Sequence, residues 1–240
     1  MLLLWHPLCE KGDAIMKGFI LSAGFGKRMG ALTQRMPKPL IKVGNDSLIE
    51  HNIQMLKNAG IQDIVINLGY MGQMIEDRLQ DGARYGVKIE YTREDVKDGL
   101  LDSGGGVKNA LTILKDDPFV LVSADIWTDY KLEHILTRAK KHQNVLCVVS
   151  NPEWHSDGDF YCSEEGEIQL NQRKNNVTFA GIGVFCPSFF MGIEKKRFGL
   201  IEVIRKSIDV NACYGVRIHG LWENVGTQRQ KEALEERLSM

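Results

Sequence analysis

Short apolar runs alternate with amphipathic segments from Lys17 to about residue 150, and this alternation constrains the fold more than any other feature. Runs such as GFILSA and DIVINL are typical of strands buried on both faces. The segment from Ser47 to Ala59 instead has helical spacing, and Ser47 with Glu50 fits a capping box at its start. Strands that alternate with helices predict βαβ units, so we expect an α/β protein with a parallel sheet covered on both faces.

The same patterns predict the individual elements. Strands are expected at 18–23, 63–68, 88–92, 119–125 and 144–150, with helices at 47–59, 73–85, 107–114 and 131–142. After residue 150 we expect a hairpin at 160–170, strands at 178–185 and 215–222, and helices at 201–208 and 227–238. No linker or repeat interrupts the chain, which favours one domain with two lobes.

Composition excludes several classes of protein. The 240 residues are 43% hydrophobic and 25% charged, with a formal net charge of -1, which predicts a globular protein and offers no basic surface for nucleic acid. No apolar run approaches the ~20 residues that cross a bilayer, so no membrane partner is expected. The five cysteines are scattered and lack a CxxC pair, which favours a reducing cytoplasm. Residues 1–15 fail as a signal peptide, and we expect a disordered extension there.

Two segments near the start of the chain predict a phosphate site. Gly24 and Gly26 follow the first strand and let backbone N–H groups approach a phosphate, while Lys27 and Arg28 add positive charge. In MPKPL, two prolines bracket Lys38 and are expected to hold it in a stiff, extended segment. Each segment alone is equally typical of an ordinary turn or surface loop.

Two later segments point to the same chemistry. DSGGGVKNAL places three glycines at a predicted helix start, where bare backbone and the helix dipole favour an anion. Asp125 ends a predicted buried strand, and ligands of open α/β sheets bind at the carboxyl ends of strands. A carboxylate there can hold Mg²⁺ against a triphosphate. The simpler explanation of the three glycines is a loop that is entropically costly to order, and that of Asp125 is an aspartate that forms a turn.

Together these segments resemble the signature of the sugar-phosphate nucleotidyltransferases, L-x-A-G-x-G-x-R-M/L followed by P-K-P. The matching residues are Leu21, Ala23, Gly24, Gly26, Arg28, Met29, Pro37, Lys38 and Pro39. ADIWTDY, GDF and FAGIGV further resemble the family's uridylyltransferases of N-acetylmuramic acid 1-phosphate. The resemblance covers the chain from Met16. It implies a Rossmann-like three-layer fold with a mixed, mainly parallel sheet, a nucleotide-binding part at about 16–150 and a smaller sugar-binding lobe at about 151–240.

The resemblance also implies an activity and a role for each site residue. The enzyme would transfer a nucleoside monophosphate from a nucleoside triphosphate to a sugar 1-phosphate and release pyrophosphate. The favoured substrates are UTP and N-acetylmuramic acid 1-phosphate, which would place the reaction in peptidoglycan recycling. Arg28 and Lys38 would be catalytic, and the nucleotide would also meet Ala23, Gly24, Gly26, Lys27, Gly104 and Gly105. Mg²⁺ would be held by Asp125 and position 224, and the sugar would lie near Asp159 and Gly181. The resemblance leaves the oligomeric state open, and a monomer is compatible with the implied activity.

Four positions depart from the family pattern. Ala124-Asp125 stands where glycine-aspartate is usual, L-D-S-G-G replaces L-E-T-G-G, and Ala31 replaces a proline. The most consequential is Asn224, where the family's W-x-D-V-G motif has an aspartate. An amide oxygen can still bind Mg²⁺, but it brings a dipole in place of a full charge.

Three alternatives stay open. The first strand and glycine turn also suit a nicotinamide-dependent oxidoreductase, although GxGxxG is absent and the second strand ends Asn67-Leu68-Gly69 without an acid. A mannose, hexose or heptose 1-phosphate with a different triphosphate, GTP for example, would use the same scaffold. Loss of the aspartate at position 224 would also suit a non-catalytic nucleotide-sugar binder.

Overall fold

The computed structural model describes residues 16–170 and 175–239. The predicted N-terminal extension lies outside the described residues. In chain order the strands are β1 Lys17–Leu21, β2 Lys42–Val43, β3 Asp46–Ser47, β4 Asp63–Leu68, β5 Lys88–Arg93, β6 Phe119–Ser123, β7 Ile126–Thr128, β8 Asn144–Ser150, β9 Tyr161–Cys162, β10 Ile168–Gln169, β11 Val177–Phe185, β12 Cys213–Arg217 and β13 Trp222–Asn224. The helices are α1 Leu48–Asn58, α2 Gly72–Leu79, α3 Asp102–Leu114, α4 Glu133–Ala139, α5 Leu200–Asp209 and α6 Gln228–Leu238.

Seven strands form the central sheet, in the order β12-β8-β11-β6-β1-β4-β5. β1 pairs in parallel with both β4 and β6, and β8 pairs in parallel with β12. β11 is antiparallel to its neighbours β6 and β8. This confirms the expected mixed, mainly parallel α/β sheet.

Alternate residues of each strand enter two different cores. Ile20, for example, packs with α1, α2 and α4 on one face of the sheet. Phe19 packs with α3 and α5 on the other face. Strands buried on both faces read as continuous apolar runs, which explains why their positions were visible in the sequence.

Several predicted elements have different bounds, among them the helix expected at 107–114, which begins at Asp102. The helix expected at 73–85 ends at Leu79, because Gln80 has φ 52° and Gly82 has φ 86°, and a short 3₁₀ helix Ala83–Tyr85 follows. The strand expected at 215–222 is divided into β12 and β13 around Gly220, whose φ is 116°. The strand expected at 119–125 ends at Ser123, and its continuation, β7, pairs with β13 outside the main sheet.

The chain reverses its direction of travel across the sheet at β1. β4 and β5 are added on one side of β1, and the chain then returns to place β6 on the other side. Ligands of open α/β sheets bind beside the carboxyl ends of strands at such a switch point. The fold therefore predicts a ligand site beside the segments that follow Leu21 and Ser123.

Candidate active site

Two neighbouring cavities lie beside the carboxyl ends of β1 and β6. The first, of about 380 Å³, is lined by Leu21, Gly24, Gly26, Lys27, Arg28, Lys38, Pro39, Ser103, Ser123, Ala124, Asp125 and Gly226. The second, of about 510 Å³, shares Leu21, Gly24 and Ser103 with it and extends towards the ends of β4 and β5. The glycine-rich segment, Lys38 and Asp125 are thus brought together.

The glycine-rich segment leaves β1 and lies against the segment that contains Lys38. No heavy atom lies within 4 Å of the place where a Cβ of Gly24 would be, so its backbone is open to a ligand. A Cβ on Gly26 would lie 3.0 Å from Lys38 Cβ and 3.0 Å from Thr33 Cγ2, and its φ is 63°. Glycine at position 26 therefore permits both the turn and the close approach to Lys38.

Lys38 and Asp125 form an ion pair in the first cavity. The Nζ of Lys38 lies 2.6 Å from Oδ2 of Asp125, with 10% and 26% of the two side chains exposed. Pro37 is extended, with φ -67° and ψ 145°, but Lys38 itself begins a short 3₁₀ helix, Lys38–Leu40, so the extended conformation expected for Lys38 is wrong. Partial burial weakens solvent screening and strengthens this attraction relative to a surface pair.

Arg28 reaches the turn that follows β13. A Cβ added to Gly226 would be 3.2 Å from Nη2 of Arg28, so the guanidinium lies directly beside this glycine. Gly226 also lines the first cavity. Lys27, Arg28 and Lys38 therefore give one cavity three cationic side chains, a set suited to several phosphate groups.

Strand β13 carries Asn224 beside Asp125. Asn224 pairs with Ile126, and the N–H of Val225 donates to the carbonyl of Asp125 at 2.9 Å. Glu223 is on the opposite face of the strand, where its Oε2 lies 3.5 Å from Nη1 of Arg237. Burial raises the pKa of the Glu223 carboxyl, while Arg237 acts in the opposite direction. Glu223 thus belongs to a contact with α6 and is no substitute for an acid at 224.

Comparison with known proteins decides the family. Residues 17–160, more than half of the chain, match the family model described as nucleotidyl transferase. The chain is a member of the nucleotidyl transferase family.

Relatives of this nucleotidyl transferase include proteins with two different substrate names. It is 39% identical over 225 residues to an N-acetylmuramate alpha-1-phosphate uridylyltransferase of Neisseria meningitidis serogroup B, covering 91% of this chain and 96% of the relative. It is 32% identical over 224 residues to a mannose-1-phosphate guanyltransferase of Gibberella zeae, covering 88% of this chain but 61% of that protein.

Solved structures support the fold of this nucleotidyl transferase. A UDP-glucose pyrophosphorylase complexed with UDP-glucose superposes with a TM-score of 0.78 at 15% identity, covering 94% of this chain and 99% of that one. HddC from Yersinia pseudotuberculosis gives a TM-score of 0.77 at 14% identity, covering 93% and 99%. At such identities the likeness shows a shared fold.

The three glycines of the nucleotidyl transferase lie inside α3 instead of before it. The N–H groups of Gly104 and Gly105 donate to the carbonyl of Phe198 at 3.0 and 3.1 Å, so they are already satisfied. Side chains there would collide with Phe198 and with the carbonyl of Lys196, at 2.4 and 2.5 Å. The expectation that these N–H groups are free to bind an anion is therefore wrong. Asp102 and Ser103, which precede the glycines, line the cavities instead.

The second cavity contains a buried polar network that the sequence patterns did not single out. Asn67 accepts from the N–H of Ser22 at 2.7 Å and donates to Glu94 at 2.7 Å. Glu94 also accepts from the N–H of Leu101 at 2.7 Å. Burial raises the pKa of the Glu94 carboxyl, and these hydrogen bonds oppose that rise. An acid two residues after the predicted strand 88–92 was the available signal, because strand ends position ligands.

Ala23 joins the two cavities to the neighbouring strand. It lines the second cavity and is 7% exposed. Its carbonyl accepts from the N–H of Tyr70 at 3.1 Å. A Cβ on Gly69 would lie 2.5 Å from the same oxygen, so close packing fixes the start of the glycine-rich segment.

The two residues expected near the sugar lie on and beside β11. Gly181 has φ 75°, and a Cβ there would meet Ile126 at 2.8 Å and the cavity residue Ser123 at 3.2 Å. Asp159 accepts from the N–H of Phe179 at 2.8 Å and bonds Nε2 of His155 at 3.0 Å. Gly181 therefore adjoins the first cavity, whereas Asp159 supports the strand from the side.

Proposed function

We propose that this nucleotidyltransferase transfers UMP from UTP to N-acetylmuramic acid 1-phosphate and releases pyrophosphate. An oxygen of the sugar phosphate forms a bond to the α-phosphorus of UTP, and the bond from that phosphorus to the departing pyrophosphate breaks. The sugar phosphate is largely dianionic at neutral pH, since the second pKa of a phosphate monoester is ~6. The reaction therefore needs little help from a protein base.

The similarity to the uridylyltransferase carries this proposal. It extends over 96% of that relative at 39% identity. A second uridylyltransferase with the same name, from Caulobacter vibrioides, is 27% identical and matches over 96% of its length. Both matches therefore extend over nearly the whole of the relative.

The charged side chains of the first cavity suit the proposed reaction. Backbone at Gly24 and Gly26 approaches the triphosphate, and Lys27 and Arg28 offset its charge. Lys38 lies between the α-phosphate and the incoming sugar phosphate. Side chains fixed before the reaction stabilise developing charge without reorganising, which is the main source of catalysis in phosphoryl-type transfer.

We further propose that Asp125 and Asn224 hold Mg²⁺. No three His, Cys, Asp or Glu side chains gather to hold a metal within residues 16–170 and 175–239. The donor set nevertheless fits Mg²⁺, which takes oxygen ligands and commonly uses one or two carboxylates together with substrate phosphates and water. When bound, the ion would offset charge on the triphosphate.

The nucleobase, the sugar and the place of action follow the same proposal. Asp102 and Ser103 line the second cavity on the side proposed for the base, with Gly104 and Gly105 packed behind them against Phe198. Asp159 and Gly181 are proposed to support the sugar. No helix among the described residues is long and apolar enough to cross a membrane. We place the reaction in the cytoplasm, as a step of peptidoglycan recycling.

A matrix of four nucleoside triphosphates against several sugar 1-phosphates tests the proposal through pyrophosphate release. We expect the highest turnover with UTP and N-acetylmuramic acid 1-phosphate. Omitting the sugar phosphate controls for hydrolysis of the triphosphate. Pyrophosphate release in no combination would contradict the activity and favour a nucleotide-sugar binder.

Mannose 1-phosphate guanylyl transfer is the second candidate, because several relatives carry that name. They match this chain at 32% and 31% identity, and the chain covers 61% of each. Preference for GTP with mannose 1-phosphate in the same matrix would select this activity.

A further inference from the structure

Trp154 is an exposed aromatic side chain that the proposed reaction does not use. It belongs to a short 3₁₀ helix, Glu153–His155, that follows β8, and 49% of its surface is exposed. An indole combines a large apolar face with a polar edge, a combination common where proteins contact ligands of mixed polarity.

Trp154 is the middle member of a row of stacked rings. Its ring centroid lies 6.3 Å from that of Trp222, with 23° between the planes, and 6.0 Å from that of His155, with 25°. We call Trp154, Trp222 and His155 the aromatic row.

Hydrogen bonds hold both ends of the aromatic row. Nε1 of Trp222 donates to the carbonyl of Ala180 at 2.9 Å, next to Gly181. Nε2 of His155 bonds Asp159 at 3.0 Å, and Asp159 in turn accepts from the N–H of Phe179. The row is therefore anchored to Asp159 and to Ala180, the residue before Gly181.

The direction of β13 relates the aromatic row to the reacting phosphates. Trp222 and Asn224 are two residues apart, so they lie on the same face of the strand, separated by ~6.8 Å. Asn224 pairs with Ile126, next to Asp125. This face of β13 therefore begins at Asn224, near Asp125, and continues through Trp222 to Trp154. Trp154 is at the end farther from the proposed position of the phosphates.

We propose that Trp154 forms the outer wall of the acceptor site and is a specificity-determining residue for sugar 1-phosphates with an apolar acyl substituent. The inference rests on the proposed function, because it needs a sugar 1-phosphate as acceptor. Trp222 lies nearer the phosphate, and Trp154 contacts the side of the sugar remote from it. Stacking against C–H groups and an acetamido methyl favours N-acylated sugars over simple hexoses.

Kinetics of Trp154→Ala test the inference with the acceptor that is turned over fastest. We expect KM for an N-acylated sugar 1-phosphate to rise about tenfold, corresponding to ~1.4 kcal/mol. The kcat and the KM for the nucleoside triphosphate should each change by less than about twofold. The KM for mannose 1-phosphate should rise less than the KM for the N-acylated acceptor. Trp154→Phe should restore most of the affinity. Tyr161→Ala, which removes another exposed ring, is the matched control.

Fluorescence separates failure of this inference from failure of the proposed function. N-acetylmuramic acid 1-phosphate should quench tryptophan emission in the presence of UTP and Mg²⁺, and Trp154→Phe should lose most of that quenching. If mannose 1-phosphate were the acceptor and Trp154→Ala left its KM unchanged, both proposals would fail. Unchanged acceptor KM in Trp154→Ala with normal turnover of N-acetylmuramic acid 1-phosphate would overturn this inference alone. Quenching that depends on Trp154 without any turnover would support it while contradicting the transferase proposal.

Discussion

At the scale of single residues, the first cavity combines three cationic side chains with one paired carboxylate. Lys38 lies 2.6 Å from Asp125, although the proposed reaction requires Lys38 to meet phosphates and Asp125 to meet a cation. Both requirements are satisfied when the triphosphate and the metal bind together. The phosphates then replace Asp125 as the negative charge beside Lys38, and the metal replaces Lys38 as the positive charge beside Asp125. The pair therefore keeps two partly buried charges neutralised between turnovers.

Replacing Lys38 or Arg28 should lower kcat far more than it lowers stability. Each side chain is placed to meet charge that moves during the reaction, and loss of one such contact costs ~10²–10³ in rate. Steady-state pyrophosphate release and thermal unfolding of Lys38→Met and Arg28→Ala measure both effects. The exposed residues Lys42 and Arg35 provide the control variants Lys42→Met and Arg35→Ala. Near-normal turnover of Lys38→Met would show that Lys38 does not contact the reacting phosphates.

Asn224→Asp should lower the Mg²⁺ concentration that gives half-maximal activity. A full charge beside Asp125 attracts the ion more strongly than an amide dipole, and a gain of ~1.4 kcal/mol is a tenfold shift. Activity against Mg²⁺ concentration gives the measurement, with Glu223→Gln as control because Glu223 faces Arg237. An inactive native chain restored by Asn224→Asp would identify a decayed site. An unchanged Mg²⁺ dependence would remove position 224 from the ligands.

At the scale of elements, the start of α1 shows how one carboxylate joins three segments. Glu50 accepts from the N–H and the hydroxyl of Ser47, completing the capping box expected from the sequence. It also accepts from Arg78 of α2 and from Tyr85. Burial alone would raise the pKa of the Glu50 carboxyl, but these hydrogen bonds outweigh it and lower the pKa to about 2.

The lowered pKa of Glu50 predicts an acid-dependent loss of stability. Because the folded pKa is below the unfolded one, Glu50 stabilises the fold above about pH 4.5 and loses that contribution as pH falls towards 2. Glu50→Gln should lower stability at pH 7 by ~1 kcal/mol, as for other lost caps, and should flatten the decline between these pH values. Urea unfolding at several pH values measures both, with Glu76→Gln as the control, because Glu76 is only partly buried and pairs with the exposed Arg93. An equally steep decline in Glu50→Gln would assign the acid sensitivity to other groups.

At the scale of the whole molecule, the sequence predicted the layers and the charged residues that line the first cavity. Strands buried on both faces and the Ser47–Glu50 cap have local signals, so β1, β4, β8 and α1 were placed within a few residues. The division between β12 and β13 was missed because it depends on Gly220 adopting a φ that other contacts impose. The Asn67–Glu94 network was missed because Asn67 lies in β4 and Glu94 follows β5, and only tertiary packing brings them together.

The position of β11 has a consequence for how the chain can assemble. β8 ends at Ser150, but both of its neighbours in the sheet, β11 and β12, come later in the chain. A nascent chain that has emerged only to residue 150 would therefore hold β8 with two unpaired edges and an apolar surface open to other chains. β11 occupies the place between β6 and β8, so its arrival links the early strands to the late ones. The sheet is complete only after residue 217 has been made, and the first cavity, which Gly226 also lines, only after residue 226.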